Sequence, residues 1–144
     1  MPGLFALVVA ALFTGAAIYI NLVEQPARLL LDDRALLAEW KPAYRRGFAM
    51  QASLAVLSGL SGLASWWMAN IPAALAGAIM ILANWPYTLL VIMPVNRRLL
   101  ATSDDNASAT TRELIVRWGR LHAVRSLFGA GATGLFMLAL ALTR

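Results

Sequence analysis

The chain has 144 residues, 60% hydrophobic and 13% charged, against about 45–50% and about 25% in an ordinary soluble domain. That balance excludes a disordered chain and a water-soluble globule, which would lack the polar residues to cover its surface. With no Cys and one His, disulfide frameworks, thiolate centres and His clusters are excluded, and the net charge of +5 bears first on orientation in a membrane.

Residues 1–23 contain no charge and predict a first membrane span over about 3–24, since a crossing needs roughly 20 apolar residues. The start, Met1-Pro2-Gly3, has no basic residue, so this run reads as a retained span and not a signal peptide. Asp32 and Asp33 predict a cap for a short interfacial helix over 34–40, with Leu36, Leu37 and Trp40 on one side. Residues 47–96 are also free of charge. As one helix they would reach about 75 Å, far beyond a hydrocarbon core of about 30 Å. The break is Ala69-Asn70-Ile71-Pro72, where Pro suits a helix start, and it divides the run into spans at about 43–68 and 72–94. Pro94 then marks the expected end of the third helix. A polar loop at 103–109 leads to a fourth helix over about 111–142. Its first turns, with Arg112, Glu113, Arg117 and Arg120, project into headgroups or water, and Glu113 can pair with Arg117.

The predicted fold is therefore all-α: a four-transmembrane-helix bundle with a short interfacial helix in the first loop, residues 1–144 making one integral membrane domain. Eleven of the twelve basic residues fall in segments 25–46 and 95–125, and only Arg144 lies opposite. The positive-inside rule makes those segments cytoplasmic and both termini external, in the inner membrane of a bacterium. The basic residues flank helix ends as anchors do, so no nucleic-acid partner is expected.

Helix faces at 100° per residue then locate polar groups that face neither water nor headgroups. On the fourth helix, Trp118, His122, Arg125 and Gly129 lie within about 60° of one another, away from Glu113, Arg117 and Arg120. On the first, Thr14, Asn21 and Gln25 form a stripe with Glu24 beside it. On the second, Tyr44, Gln51, Ser58 and Ser65 recur every seven residues, with Gly47 and Gly62 on the same face. On the third, Asn84, Tyr87 and Thr88 share a face, and Asn96 follows Pro94. All four helices thus deliver hydrogen-bonding groups to the basic side, which implies a polar pocket opening there. Glu24 is expected to meet Arg125 or His122, because neither charge is cheap to leave unpaired at that depth. Trp40, Trp66, Trp67 and Trp85 read as interfacial or lipid-packing aromatics. His122 with Glu24 is the only conceivable metal pair, too few for a site. Phosphate loops and nucleotide fingerprints are absent. Gly129, Gly131 and Gly134 suit close helix packing, within the bundle or against a second copy.

The motifs Glu24-Gln25-Pro26-Ala27-Arg28, Trp40 with Tyr44, Asn84-Trp85-Pro86-Tyr87, Pro94-Val95-Asn96-Arg97-Arg98-Leu99 and Arg117-Trp118-Gly119-Arg120-Leu121-His122-Ala123-Val124-Arg125 follow one another across the four spans. In that order they make the chain resemble the small four-helix membrane proteins of the DUF1772, or anthrone oxygenase-like, family. The resemblance covers nearly the whole chain. It implies oxidation of an anthrone carbon by molecular oxygen as co-substrate, with no bound organic cofactor. It also implies a His before the Pro that ends the first helix, where this chain has Gln25. Removing a proton from an anthrone leaves an electron-rich enolate that oxygen attacks. The site would need a base, donors to the oxyanion and a dry aromatic slot. His122 is the candidate base, oriented by Glu24. Arg125 and Asn96 would stabilise the oxyanion, with Tyr87 or Tyr44 donating and Trp118 stacking on a flat substrate. Asn84, Asn21 and Gln25 complete the expected binding set. The alternative is a non-catalytic membrane module, a helper subunit, lipid-binding protein or scaffold whose polar cluster only holds the helices together.

Overall fold

The computed structural model describes residues 1–143, so Arg144 lies outside the described residues. The described residues form four helices long and apolar enough to cross a membrane: α1 (Pro2–Arg28), α2 (Asp33–Ala69), α3 (Pro72–Ala101) and α4 (Ala109–Ala141). Each packs on two neighbours in the order α1–α2–α3–α4–α1. The diagonal α2–α4 meets only sparsely, so the helices form a square around a shared axis.

Local chemistry sets the ends. Asp32 Oδ1 accepts from the Ala35 N–H at 2.9 Å and starts α2. Asn70 ends it in the left-handed region at φ 51°, a conformation Asn tolerates better than most residues. Ile71 is extended and Pro72 opens α3, as the sequence predicts. Ser108 caps α4, its N–H donating to Thr111 Oγ1 at 2.8 Å.

Three elements differ from the sequence reading. The separate interfacial helix over 34–40 does not exist; those residues are the opening turns of the 37-residue α2, which carries Pro42 without breaking. Leu36, Leu37 and Trp40 are fully buried there against Val95, Leu99, Ile115 and Trp118. Trp40 is thus a core residue and not a lipid-packing one. The third helix continues past Pro94 to Ala101, and the first continues past Pro26 to Arg28. In both, a single wide turn precedes the proline: Ile20–Glu24 in α1 and Thr88–Ile92 in α3. The Gln25 N–H reaches back five residues to the Ile20 carbonyl, and the Met93 N–H does the same to Thr88. A proline has no N–H to continue the ladder, and the wide turn absorbs that loss without ending the helix.

The apolar half of the bundle is filled by Ala6, Ala10, Phe13, Ala17, Ala78 and Phe136. In lipid such contacts rest on close packing and hydrogen bonds more than on the hydrophobic effect. Gly62 and Gly77 flank the Phe136 ring so closely that a Cβ on either would sit 2.6 Å and 2.8 Å from it. Ser58 Oγ donates to the Ala6 carbonyl at 2.9 Å across the α1–α2 contact. Gly129 packs on Phe13 and Thr14, and Gly131 faces Met80, both within the bundle. Gly134 faces open space.

At the basic end, Arg112 is not merely solvated. Its Nε meets Asp33 Oδ1 at 2.6 Å, and its two Nη atoms donate to the Leu29 and Leu31 carbonyls at 2.9 and 2.5 Å. Lys41 Nζ joins Asp104 Oδ1 and the Thr102 carbonyl, each at 2.7 Å. The two loops at this end are thereby fastened to α2 and α4. Glu113, Arg117 and Arg120 stand exposed on the outer face, with no ion pair between Glu113 and Arg117 among the described residues.

Candidate active site

Between the apolar core and the loop clamp, all four helices line one narrow cleft whose enclosed space is about 20 Å³, room for a water or two. Glu24 and Arg28 of α1, Tyr44 and Gln51 of α2, and Thr88 and Asn96 of α3 face it. Trp118, His122 and Arg125 close it from α4, at the i, i+4 and i+7 positions of one face.

His122 is held by an amide. Asn21 Nδ2 donates to the Gly119 carbonyl at 2.8 Å, which turns Asn21 Oδ1 toward the His122 Nδ1, 2.8 Å away. Ser126 Oγ donates to the same oxygen at 3.0 Å. Because Oδ1 can only accept, His122 carries its proton on Nδ1 and keeps a lone pair on Nε2. The ring is 2% exposed and stands 5.0 Å from the Trp118 ring. The aromatic contacts continue from there: Trp118 meets Trp40 edge-on at 5.7 Å, and Trp40 stacks on Tyr44 at 4.9 Å and 4°.

Arg125 is 7% exposed and forms no ion pair among the described residues. Its Nε is buried without a hydrogen bond, and the guanidinium lies 5.6 Å over Phe13. An unpaired cation in a bundle interior is costly, and here it faces the cleft. Four more polar atoms of cleft residues have neither a hydrogen bond nor an ion-pair partner among the described residues: Gln51 Nε2, Thr88 Oγ1, Asn96 Oδ1 and Arg28 Nη1. Native interiors leave few such groups unsatisfied, so their gathering at one cavity marks a place for a polar ligand or water. Asn96 Nδ2 donates to Tyr44 Oη at 3.1 Å, which aims its free oxygen elsewhere.

The cleft therefore unites His122, Arg125, Glu24, Trp118, Tyr44 and Asn96 from the expected set. Glu24, however, meets neither His122 nor Arg125. It pairs with Arg28 one turn along α1, and Arg28 Nε also approaches Glu39 Oε2 at 3.1 Å. An i, i+4 partner on the same helix is nearer than any across the bundle. Four expected residues lie off the cleft. Tyr87 Oη donates to the Leu121 carbonyl at 3.0 Å and its ring meets Phe128. Asn84 Nδ2 turns back to the Ile81 carbonyl at 3.0 Å. Gln25 Nε2 donates to the Ile115 carbonyl at 2.9 Å, lying over Gly119 where a Cβ would come within 2.8 Å of it. Asn21 supports the site from behind His122. Arg28 and Phe48 line the cleft without having been expected there, and Gln51 and Thr88, expected among the polar stripes of α2 and α3, line it as well. Arg28 carried a signal in the Glu24–Arg28 spacing, and Gln51 in its seven-residue repeat with Tyr44. Among the described residues, no three His, Asp or Glu side chains gather where they could hold a metal.

The family model of the anthrone oxygenases matches residues 40–135, from Trp40 of α2 to Leu135 of α4. The chain belongs to the anthrone oxygenase family. It is 31% identical over 134 residues to the anthrone oxygenase tpcL of Aspergillus fumigatus, covering 85% of this chain and 83% of that one. It is 28% identical over 138 residues to an anthrone oxygenase of Claviceps purpurea, covering 85% and 78%. A third relative, the anthrone oxygenase ptaC of Pestalotiopsis fici, is 29% identical over 123 residues, covering 69% and 84%. No solved structure matches the chain. The family match takes in the α2, α3 and α4 walls of the cleft and stops short of α1, which brings Asn21, Glu24 and Arg28.

Proposed function

We propose that this membrane protein is an oxygenase that converts the methylene carbon of a flat, lipophilic anthrone to a carbonyl with molecular oxygen, in the cleft beside His122. In this reading the basic end faces the cytoplasm, and residues 1–144 act as one unit. The supporting observation is that His122, with its tautomer set by Asn21, and Arg125, with no counter-ion, face one cleft.

The chemistry follows from those two groups. His122 Nε2 takes a proton from the anthrone methylene, and the charge moves to the ring carbonyl oxygen as an enolate. Arg125 holds that oxygen, because a fixed cation in a dry site stabilises developing negative charge strongly. The enolate carbon forms a bond to oxygen and passes its electron pair to it, giving a peroxide that His122 reprotonates. Loss of the second methylene proton, with cleavage of the O–O bond and departure of hydroxide, leaves the quinone carbonyl and one water. Trp118 and Tyr44 give the cleft an aromatic lining, which suits a flat ring system. The family's names point to an anthrone, and Gln25 leaves His122 as the single imidazole for the task.

The test is turnover in lipid nanodiscs, following quinone absorbance and oxygen uptake against uncatalysed autoxidation. Wild type should exceed autoxidation, and His122→Ala should lose about 10²–10⁴-fold while keeping its helical circular dichroism. A folded His122→Ala that turns over like wild type overturns the assignment. In that case Asn21, His122 and Ser126 serve only to join α1 to α4, as in a non-catalytic module.

A further inference from the structure

A second cleft, narrow and with only about 10 Å³ of enclosed space, lies between α2 and α3. It shares Phe48, Thr88 and Arg125 with the first, so the two meet at the guanidinium. Their characters differ. The first has its rim at Glu24 and Ala43, beside Lys41, Arg45 and Arg46, at the depth of headgroups. The second is rimmed by Ala52, Trp85 and Leu89. Ala52 stands six residues beyond Arg46, about 9 Å deeper along the helix, and Leu89 stands eight residues before Arg97, about 12 Å deeper. Both rims of this cleft thus fall in the charge-free stretch 47–96. Trp85 is 38% and Leu89 49% exposed on the outer surface, where hydrocarbon covers them. Two polar atoms sit in this apolar wall without partners, Asn84 Oδ1 and Thr88 Oγ1, on residues 1% and 4% exposed.

We propose that the α2–α3 cleft is the lateral doorway through which the flat lipophilic substrate passes from the hydrocarbon to Arg125, with Phe48 as the side chain that closes it. A molecule that partitions into acyl chains meets this mouth directly, whereas the other mouth requires it to cross the layer of ions. Thr88 Oγ1 would donate to a ring carbonyl of a substrate in transit and Asn84 Oδ1 would accept from a ring hydroxyl, neither of which an acyl chain provides. On the α2 side the lining includes the small Ala52 and Ala55, which give way to a passing ring more easily than larger side chains would. Phe48 lines both clefts and is the one aromatic side chain they share, which suits it to the closing role. This doorway rests on the oxygenase reading for the identity of its occupant.

The test uses the chain's lack of cysteine. In nanodiscs, Ala52→Cys provides a single thiol for a lipid-soluble maleimide, and anthraquinone is the competing probe. Anthraquinone should slow labelling at position 52. Separately, Ala52→Phe should lower kcat/KM for membrane-dissolved anthrone by about tenfold or more while leaving kcat at saturation near wild type, the signature of hindered access. Labelling that ignores anthraquinone overturns the doorway while the oxygenase assignment stands. So does a larger drop from Ala43→Phe, at the other mouth, than from Ala52→Phe. If wild type has no turnover and anthraquinone still protects the thiol, the reaction is wrong and the doorway stands.

Discussion

Asn21→Leu separates a residue that holds a base from one that merely holds helices. Asn21 makes three contacts: to the Gly119 carbonyl at 2.8 Å, to His122 Nδ1 at 2.8 Å and from Ser126 at 3.0 Å. Interhelical hydrogen bonds in membranes average about 0.6 kcal/mol each, so losing three costs about 2 kcal/mol. Leu has nearly the same volume, which keeps the packing term small. The kinetic loss should be separate. Without an acceptor on Nδ1 the imidazole no longer keeps its lone pair on Nε2, and turnover should fall about 10- to 100-fold, short of the loss on removing the base. Asn21→Asp makes the distinction. Its carboxylate still accepts from Nδ1 and Ser126, but it cannot donate to Gly119 and brings a charge. Turnover should largely recover while thermal stability does not. Quinone formation in nanodiscs and a thermal melt on the same preparations decide it. Wild-type turnover in Asn21→Leu, or parallel loss of turnover and stability in Asn21→Asp, refutes the tautomer argument.

Arg125→Met should abolish most turnover yet melt no lower than wild type, since it removes a buried charge that has no ionic partner; a clear drop in the melting point would mean that Arg125 has a structural partner. Gly62→Ala puts a methyl within 2.6 Å of the Phe136 ring and should cost about 1–3 kcal/mol, read as a lower melting temperature. A reporter fused after Leu142 should score external and one in the 103–109 loop cytoplasmic; the opposite pair of results would reverse the orientation.

Much of the architecture was legible because charge is forbidden in hydrocarbon. The gaps in the pattern of Arg, Asp and Glu marked all four crossings, and Asn70-Ile71-Pro72 marked the one tight turn among them. The ends were harder. Pro26 and Pro94 read as stops, but a wide turn before each lets the helix run on, and no residue type announces such a turn. Trp40 has the chemistry of an interfacial residue; only the positions of Leu99 and Ile115 make it core. That polar groups would gather at the basic end was visible from depth alone. Which of them would meet was not. Thr88, Ile92 and Asn96 face the cleft while neighbouring Tyr87 turns to α4, a distinction of one residue step made at the wide turn. Glu24 found Arg28 on its own helix, leaving Asn21, three residues earlier, to hold the imidazole.

The square arrangement has a consequence for how such a protein diversifies. Because opposite helices scarcely touch, the central axis is occupied by side chains and not by backbone. Exchanging Phe48 or Gln51 for a smaller or larger group would reshape that axis without moving any helix off its neighbours. A scaffold of this kind can change the lining of its centre by point substitution, its outer walls untouched.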